Sequence, residues 1–183
     1  MEGGRILFLT VAFATHAVVG VALARGFTGV GPRTGAWLGI VFGLLPDADF
    51  LFPADWGWPF VHRGLTHSPL FALTVVAGVY AVAVGTAGRR GRRYAGVRRT
   101  RATALAAAVA IGSHLLIDSL SPMGIQWLFP IRTAWSPGLD VHGVIATTLL
   151  WSVSLAILAR RTDDLDGVSE WARDDDSARH PSK

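Results

Sequence analysis

The chain of 183 residues contains no cysteine. A disulfide framework and a thiolate metal site are thereby excluded, so any metal must be held by histidine and carboxylate. Charge is scarce as well. Charged residues make up 16% of the sequence, against about 25% in an ordinary soluble domain. Lysine is nearly absent, because sixteen of the seventeen basic residues are arginine. So little charge cannot cover the surface of a soluble protein of this size, and it argues against a disordered or nucleic-acid-coating chain. Four sequence signatures are also missing: GxGxxG, the P-loop, HExxH and GxSxG. Nucleotide binding and a serine nucleophile therefore have no motif behind them.

What is present is oily. Hydrophobic residues reach 51% and the mean hydropathy is +0.41. Long stretches run without a charged residue, the first being ILFLTVAFATHAVVGVALA over 6–24. Stretches of about 17–25 apolar residues match the hydrocarbon core of a bilayer. The sequence predicts five membrane segments, at 6–24, 35–52, 66–87, 102–120 and 142–159. The second and fourth carry acids near their ends and are the shortest of signal. The expected fold is an all-α polytopic bundle over 1–161, followed by an acidic, disordered, cytoplasmic tail over 162–183 with seven acids. Two other readings compete. A buried soluble bundle would need polar helix faces that these runs do not supply. A signal peptide over 1–24 is imitated by Arg5 and Ala22-Leu23-Ala24, but it would have no use for His16 in its middle.

Arginine placement sets the orientation. The stretch 89–101, RRGRRYAGVRRTR, holds seven arginines and reads as a cytoplasmic loop. Arg25, Arg33, Arg160 and Arg161 flank connections that fall on the same side, with Arg5 the one dissenter. The C-terminus is then inside. The loop is a topology signal that also touches anionic lipid, rather than a nucleic-acid patch.

Against this background the titratable residues inside the apolar region stand out, since such groups are costly in a membrane and mark function. They are His16, Asp47, Asp49, His62, His67, His114, Asp118 and His142. The arginine-based topology puts all of them between the membrane middle and its outer face. His114 and Asp118 are four apart and share a helix face. Asp47 and Asp49 lie in one proline-led turn, where two carboxylates would repel without a cation nearby. His67 sits beside Ser68-Pro69, where Thr66 or Ser68 suits a helix cap. Such ligands suit zinc, with manganese or iron as alternatives. Their number exceeds one zinc site and fits two ions, or one ion with outer partners. Asp47, His67, His114 and Asp118 lead the candidate metal ligands, followed by His16 and His142. Asp49 and His62 are candidates for proton transfer, and Arg63 and Arg132 for holding an anionic substrate. The loop 121–141 is expected to fold over the metal face.

Several stretches carry a family resemblance: Thr15-His16, LLPDAD over 44–49, HRGLTHS over 62–68 and HLLID over 114–118. In these, the chain resembles the YdjM-type membrane-bound, predicted metal-dependent hydrolases, formerly a domain of unknown function. The resemblance covers about residues 6–160 and implies a multi-helix membrane protein with a His/Asp metal centre. More loosely, the order His16, Asp47, His62, His114, Asp118, His142 resembles the zinc-dependent phospholipase C and P1 nuclease group, but without a complete three-zinc set. The expected function is membrane-bound, metal-dependent hydrolysis of a lipid or other phosphoester, with the metal face toward the exterior. A metal or proton transporter and a metal-stabilised structural protein are the alternatives.

Overall fold

The structure, a computed structural model, describes residues 2–53, 56–88 and 93–179. The apolar runs form five α-helices: α1 Glu2–Phe27, α2 Pro32–Leu44, α3 Pro69–Gly88, α4 Arg93–Leu120 and α5 Val144–Arg179. Two 3-10 turns, Pro46–Leu51 and Leu65–His67, lie between α2 and α3. Among the described residues there is no strand, only an isolated bridge between Ile125 and Trp135. The expected all-α membrane bundle is thus what forms.

Four stretches are long and apolar enough to cross a membrane: Glu2–Phe27, Pro69–Thr86, Gly96–Leu120 and Val144–Arg161. The second predicted segment is different. Helix α2 has 13 residues, and at about 1.5 Å per residue it reaches only about 20 Å. Pro46 follows it with no N–H to offer, and the chain tightens into the 3-10 turn that carries Asp47 and Asp49. The predicted third segment also starts later, at Pro69, so His67 lies in a turn outside the spanning helix. The basic stretch is not purely a loop. Residues 93–101 are the opening turns of α4, since arginine is a good helix former whose stem can lie along apolar surface. Residues 89–92 lie outside the described residues. Helix α5 continues to Arg179, through most of the stretch expected as a disordered tail, while the side chains of 162–179 and all of 180–183 lie outside the described residues.

The helices share one polarity pattern. The end of α1, the start of α2, the end of α3 and the start of α4 meet at one end of the bundle, where Arg25, Arg33 and Arg98–Arg101 sit. The end of α2 and starts of α3 and α5 meet the end of α4 toward the other. Outward faces are apolar. No residue of Pro69–Thr86 is buried, and Leu73 and Val82 are each 68% exposed. Such a surface is stable only against lipid.

Inside, the packing relies on small residues. Ala22 and Ala24 of α1 and Ala104, Ala106, Ala107 and Ala110 of α4 are buried, beneath an apolar cluster of Ile111, Leu115 and Ile125. Helices α1 and α2 approach closely. Gly35, Gly39 and Gly43 recur every fourth residue on the buried face of α2. A Cβ at Gly39 would run into the backbone of Val21, and one at Gly43 would lie 2.8 Å from the His16 carbonyl oxygen. Backbone-to-backbone contact of this kind is the usual use of glycines four apart in membrane helices. It also brings the His16 turn of α1 down onto the end of α2.

Candidate metal centre

Three elements deliver four side chains to one point. Helix α4 supplies His114 and Asp118 from one face, as their spacing requires. The 3-10 turn after α2 supplies Asp47, and the second 3-10 turn supplies His67. Ser68 fixes the latter: its Oγ accepts from the Phe71 N–H at 3.1 Å and donates to the Leu65 carbonyl at 2.7 Å. Of the two cap candidates Ser68 is the cap, while Thr66 turns inward.

The tautomers of the two histidines in this set follow from their partners. His114 Nδ1 donates to the Gly43 carbonyl at 2.7 Å. His67 Nδ1 donates to Asp49 Oδ2 at 3.0 Å. Each ring is left with Nε2 facing the other, 3.2 Å apart. Asp118 Oδ2 lies 3.4 Å from His67 Nε2 and 3.6 Å from His114 Nε2. Asp47 Oδ1 lies 3.5 Å and 3.7 Å from the same two nitrogens. A shared proton accounts for the nitrogen–nitrogen contact alone, since the carboxylate edges exceed ordinary hydrogen-bond lengths. A cation accounts for all five edges together. Tetrahedral zinc with bonds of about 2.0–2.1 Å has ligand-to-ligand edges of about 3.4 Å. The donor set and its dimensions therefore fit a divalent metal ion.

A second group shares Asp118. Its other oxygen, Oδ1, lies 3.4 Å from His16 Nε2 and 3.5 Å from His142 Nε2. That oxygen is buried and, among the described residues, has no hydrogen-bond partner. His16 stacks on His114 with ring centroids 3.8 Å apart, which holds the two groups side by side. The two sets, Asp47/His67/His114/Asp118 and His16/Asp118/His142, each converge tightly enough to hold an ion. Asp118 is thus a carboxylate with one oxygen in each.

Asp49 and His62 stand behind this pair. Asp49 is buried, and both its oxygens are engaged. Oδ1 accepts from His62 Nδ1 at 3.0 Å. Oδ2 accepts from the Arg63 N–H at 3.1 Å and the Thr66 hydroxyl at 2.9 Å, besides His67. Burial alone would raise its carboxyl, but the hydrogen bonds from His62 and His67 outweigh that and hold it well below the usual carboxylate range. With both oxygens engaged, Asp49 orients His67 as an outer carboxylate, although with His62 and His67 it forms a third convergent set. Burial works against a charge on His67, yet the hydrogen-bonded Asp118, Asp47 and Asp49 push its pKa up to about 10. Three carboxylates thus favour positive charge at this spot. Burial pushes His142 down, toward the neutral imidazole that ligates metals.

Arg63 is placed differently from a substrate clamp open to solvent. Its backbone is left-handed, with φ of 61°, uncommon for a residue with a side chain. Its Nη2 pairs with Asp118 Oδ2 at 3.1 Å. Its Nη1 donates to the Ser121 hydroxyl at 2.5 Å, the Gly124 carbonyl at 3.2 Å and the Asp118 carbonyl at 3.3 Å. The guanidinium ties the end of α4 to the start of the loop after it, holding Asp118 together with Ser121 and Gly124. Arg132 lies over the Trp58 ring, 4.5 Å from its centroid, and is exposed.

Sequence reasoning missed three contributors. These are the Gly43 carbonyl behind His114, Thr66 behind Asp49, and Ser121, which joins Arg63 to the Asp118 turn. Only the first had a signal, in the glycine spacing of α2. Asp49→Ala is expected to weaken metal binding by about 10–100-fold, as loss of a carboxylate behind a metal-ligating histidine typically does. Metal titration of the purified protein, with circular dichroism to confirm its helices, checks this.

A family model described as YdjM inner membrane protein matches residues 11–172. The chain is also similar to the inner membrane protein YbcI of Escherichia coli (strain K12), at 38% identity over 122 residues. That match covers 63% of this chain and 65% of YbcI, a little under two thirds of the relative's length. No solved structure matches the chain.

Proposed function

Because the chain belongs to the YdjM inner membrane protein family, we propose that this membrane protein is a metal-dependent hydrolase acting on a lipid or other membrane-associated phosphoester. The observation that carries the reading is the division of Asp118 between a four-ligand set and a three-ligand set. Structural zinc sites close their coordination with four protein ligands, whereas catalytic ones keep a position open. The three-ligand set, His16, Asp118 and His142, leaves room for a water or a substrate oxygen. Divalent ions bound there would lower the pKa of a water and draw charge from a phosphoryl oxygen. The chain's part is to hold two sets in register through one carboxylate and to fix the ring tautomers from behind. His62 is partly exposed, and its link to Asp49 suits it to pass a proton between solvent and the site. Zinc is the first choice of ion. The ligand order likened to the phospholipase C and P1 nuclease group supports a phosphoester substrate.

The transport alternative is less well supported. An ion path needs polar groups reaching both faces. On α4, the turns between Asp118 and the arginine end present buried Ala104, Ala106, Ala107, Ala110 and Ile111 instead. Measurement of bound metal, together with hydrolysis of phosphodiester and phospholipid substrates, tests the proposal. Metal should copurify at one to two ions per chain, and hydrolysis should stop on chelation and return with zinc. Protein that binds no metal, or hydrolysis indifferent to chelation, would sink it.

The arginine distribution supports an arrangement with the arginine end cytoplasmic and the metal face exterior. A chain without cysteine gives a clean test. A single cysteine at Leu128, 69% exposed beside the metal face, should react with an impermeant thiol reagent on intact cells. One at the exposed Gly31, at the arginine end, should react only after lysis. The reverse pattern would invert the orientation.

A further inference from the structure

At the end of the bundle away from the metal centre lies a cavity of about 720 Å³. Thr28, Gly31 and Thr34 line one side of it, from the α1–α2 turn, and Arg98, Arg99 and Arg101 line the other. Among the described residues none that lines it is acidic, so three arginines line one space with no carboxylate among those residues. Arg98 and Arg101 are three apart on α4 and share a face.

The opposite wall adds donors. Helix α2 starts here, and its Gly31 cap makes no side-chain hydrogen bond. Pro32 has no N–H, which leaves the amides of the next residues as donors, at the positive end of the helix dipole. Nothing lies within 4 Å of where a Cβ would stand at Gly29 or Gly31, so an anion can approach this backbone closely. The cavity is also amphipathic, because Val30 and Leu105 share its lining. Leu105 is 47% exposed and lies within the membrane-crossing stretch Gly96–Leu120.

We infer that this cavity binds the phosphate headgroup of an anionic membrane lipid. The arginines and the α2 amides contact the phosphate, and Val30 and Leu105 contact the start of the acyl chains. A free phosphate would use the same donors but would gain nothing from the apolar part of the lining. The membrane-level position of Leu105 therefore favours the lipid. The volume lies within the range of about 300–1,000 Å³ that holds small ligands.

Mass spectrometry of the intact protein in detergent, titrated with phosphatidylglycerol or phosphatidylcholine, tests this assignment. Phosphatidylglycerol should be retained at least about tenfold more strongly, given the contribution of each arginine near an anionic headgroup. The preference should vanish in Arg98→Gln/Arg99→Gln/Arg101→Gln and survive in the charge-preserving Arg98→Lys/Arg101→Lys. Arg160→Gln, an exposed arginine outside the cavity, should leave it unchanged. Equal retention of both lipids, or an equal loss in Arg160→Gln, would overturn the site. Inorganic phosphate competing as tightly as phosphatidylglycerol would show a free-anion site and overturn the lipid assignment. Circular dichroism of the glutamine variant guards against misfolding, and the lysine variant keeps the test decisive if that variant unfolds.

Discussion

Asp118→Ala is expected to remove metal from both ligand sets at once. Among the described residues, no other side chain has an oxygen in each. Oδ2 faces His67 and His114, and Oδ1 faces His16 and His142. Loss of a carboxylate behind a ligand costs about 10–100-fold in metal affinity, so loss of this one should cost more than about 100-fold at either set. His142→Ala gives the contrast. It touches only the three-ligand set, so it should lower the metal content without emptying the four-ligand set. If both variants lose the same metal, the two sets are not separate sites.

Asp118→Ala also releases Arg63, and stranding one partner of a buried ion pair costs about 3–5 kcal/mol. The guanidinium still has the Asp118 carbonyl, the Ser121 hydroxyl and the Gly124 carbonyl to donate to. The helices should therefore survive. Asp118→Asn separates the effects further. It keeps an oxygen for Arg63 but loses the charge and one of the two ligand oxygens. Metal analysis of the two variants by mass spectrometry, beside their thermal unfolding, checks the prediction. Full metal content in Asp118→Asn would show that one oxygen suffices and that the carboxylate does not bridge.

The candidate ligand residues were legible because membrane placement removes the ordinary reasons for a histidine or aspartate. In a soluble surface His16 or Asp118 would carry no signal. In an apolar run each needs a partner, and the arginine pattern put all of them at one depth. The residues that orient them were less legible. Arg63 stands in a histidine-rich turn and reads as an anion clamp. Only the fold reveals that its left-handed backbone turns the guanidinium onto Asp118 and the Gly124 carbonyl. Arg132 read the same way, and its stack on Trp58 depends on contacts between two loops that no local pattern encodes. The length of α2 escaped for a related reason. Hydropathy continues from α2 through Leu44-Leu45 into Phe50-Leu51-Phe52, while the helix stops at Pro46 so that the acids can turn inward.

The glycines of α2 lead to the second large effect. Gly39→Ala is expected to destabilise the protein, although alanine is the better helix former by about 1 kcal/mol. At Gly39 the added methyl meets the Cα and nitrogen of Val21 and the carbonyl carbon of Gly20. These are backbone atoms of a packed helix and cannot swing away as a side chain would. Helices α1 and α2 must separate, and overpacking of this sort costs about 1–3 kcal/mol or more. The change also reaches the metal centre, because Gly43, one turn on, accepts from His114 Nδ1 and lies against the His16 carbonyl. Shifting α2 moves the acceptor that fixes the His114 tautomer and the helix that carries His16. Gly39→Ala should therefore lower both the unfolding temperature and the metal affinity, and Gly39→Leu more so. Gly78→Ala is the control. A Cβ there meets nothing within 4 Å, so only the gain in helix propensity remains, and the variant should be as stable as the parent or slightly more. Thermal unfolding of the three variants in detergent, with metal content measured on the same samples, decides the matter. Equal stability of Gly39→Ala and Gly78→Ala would mean that the close approach of α1 and α2 does not hold the bundle together.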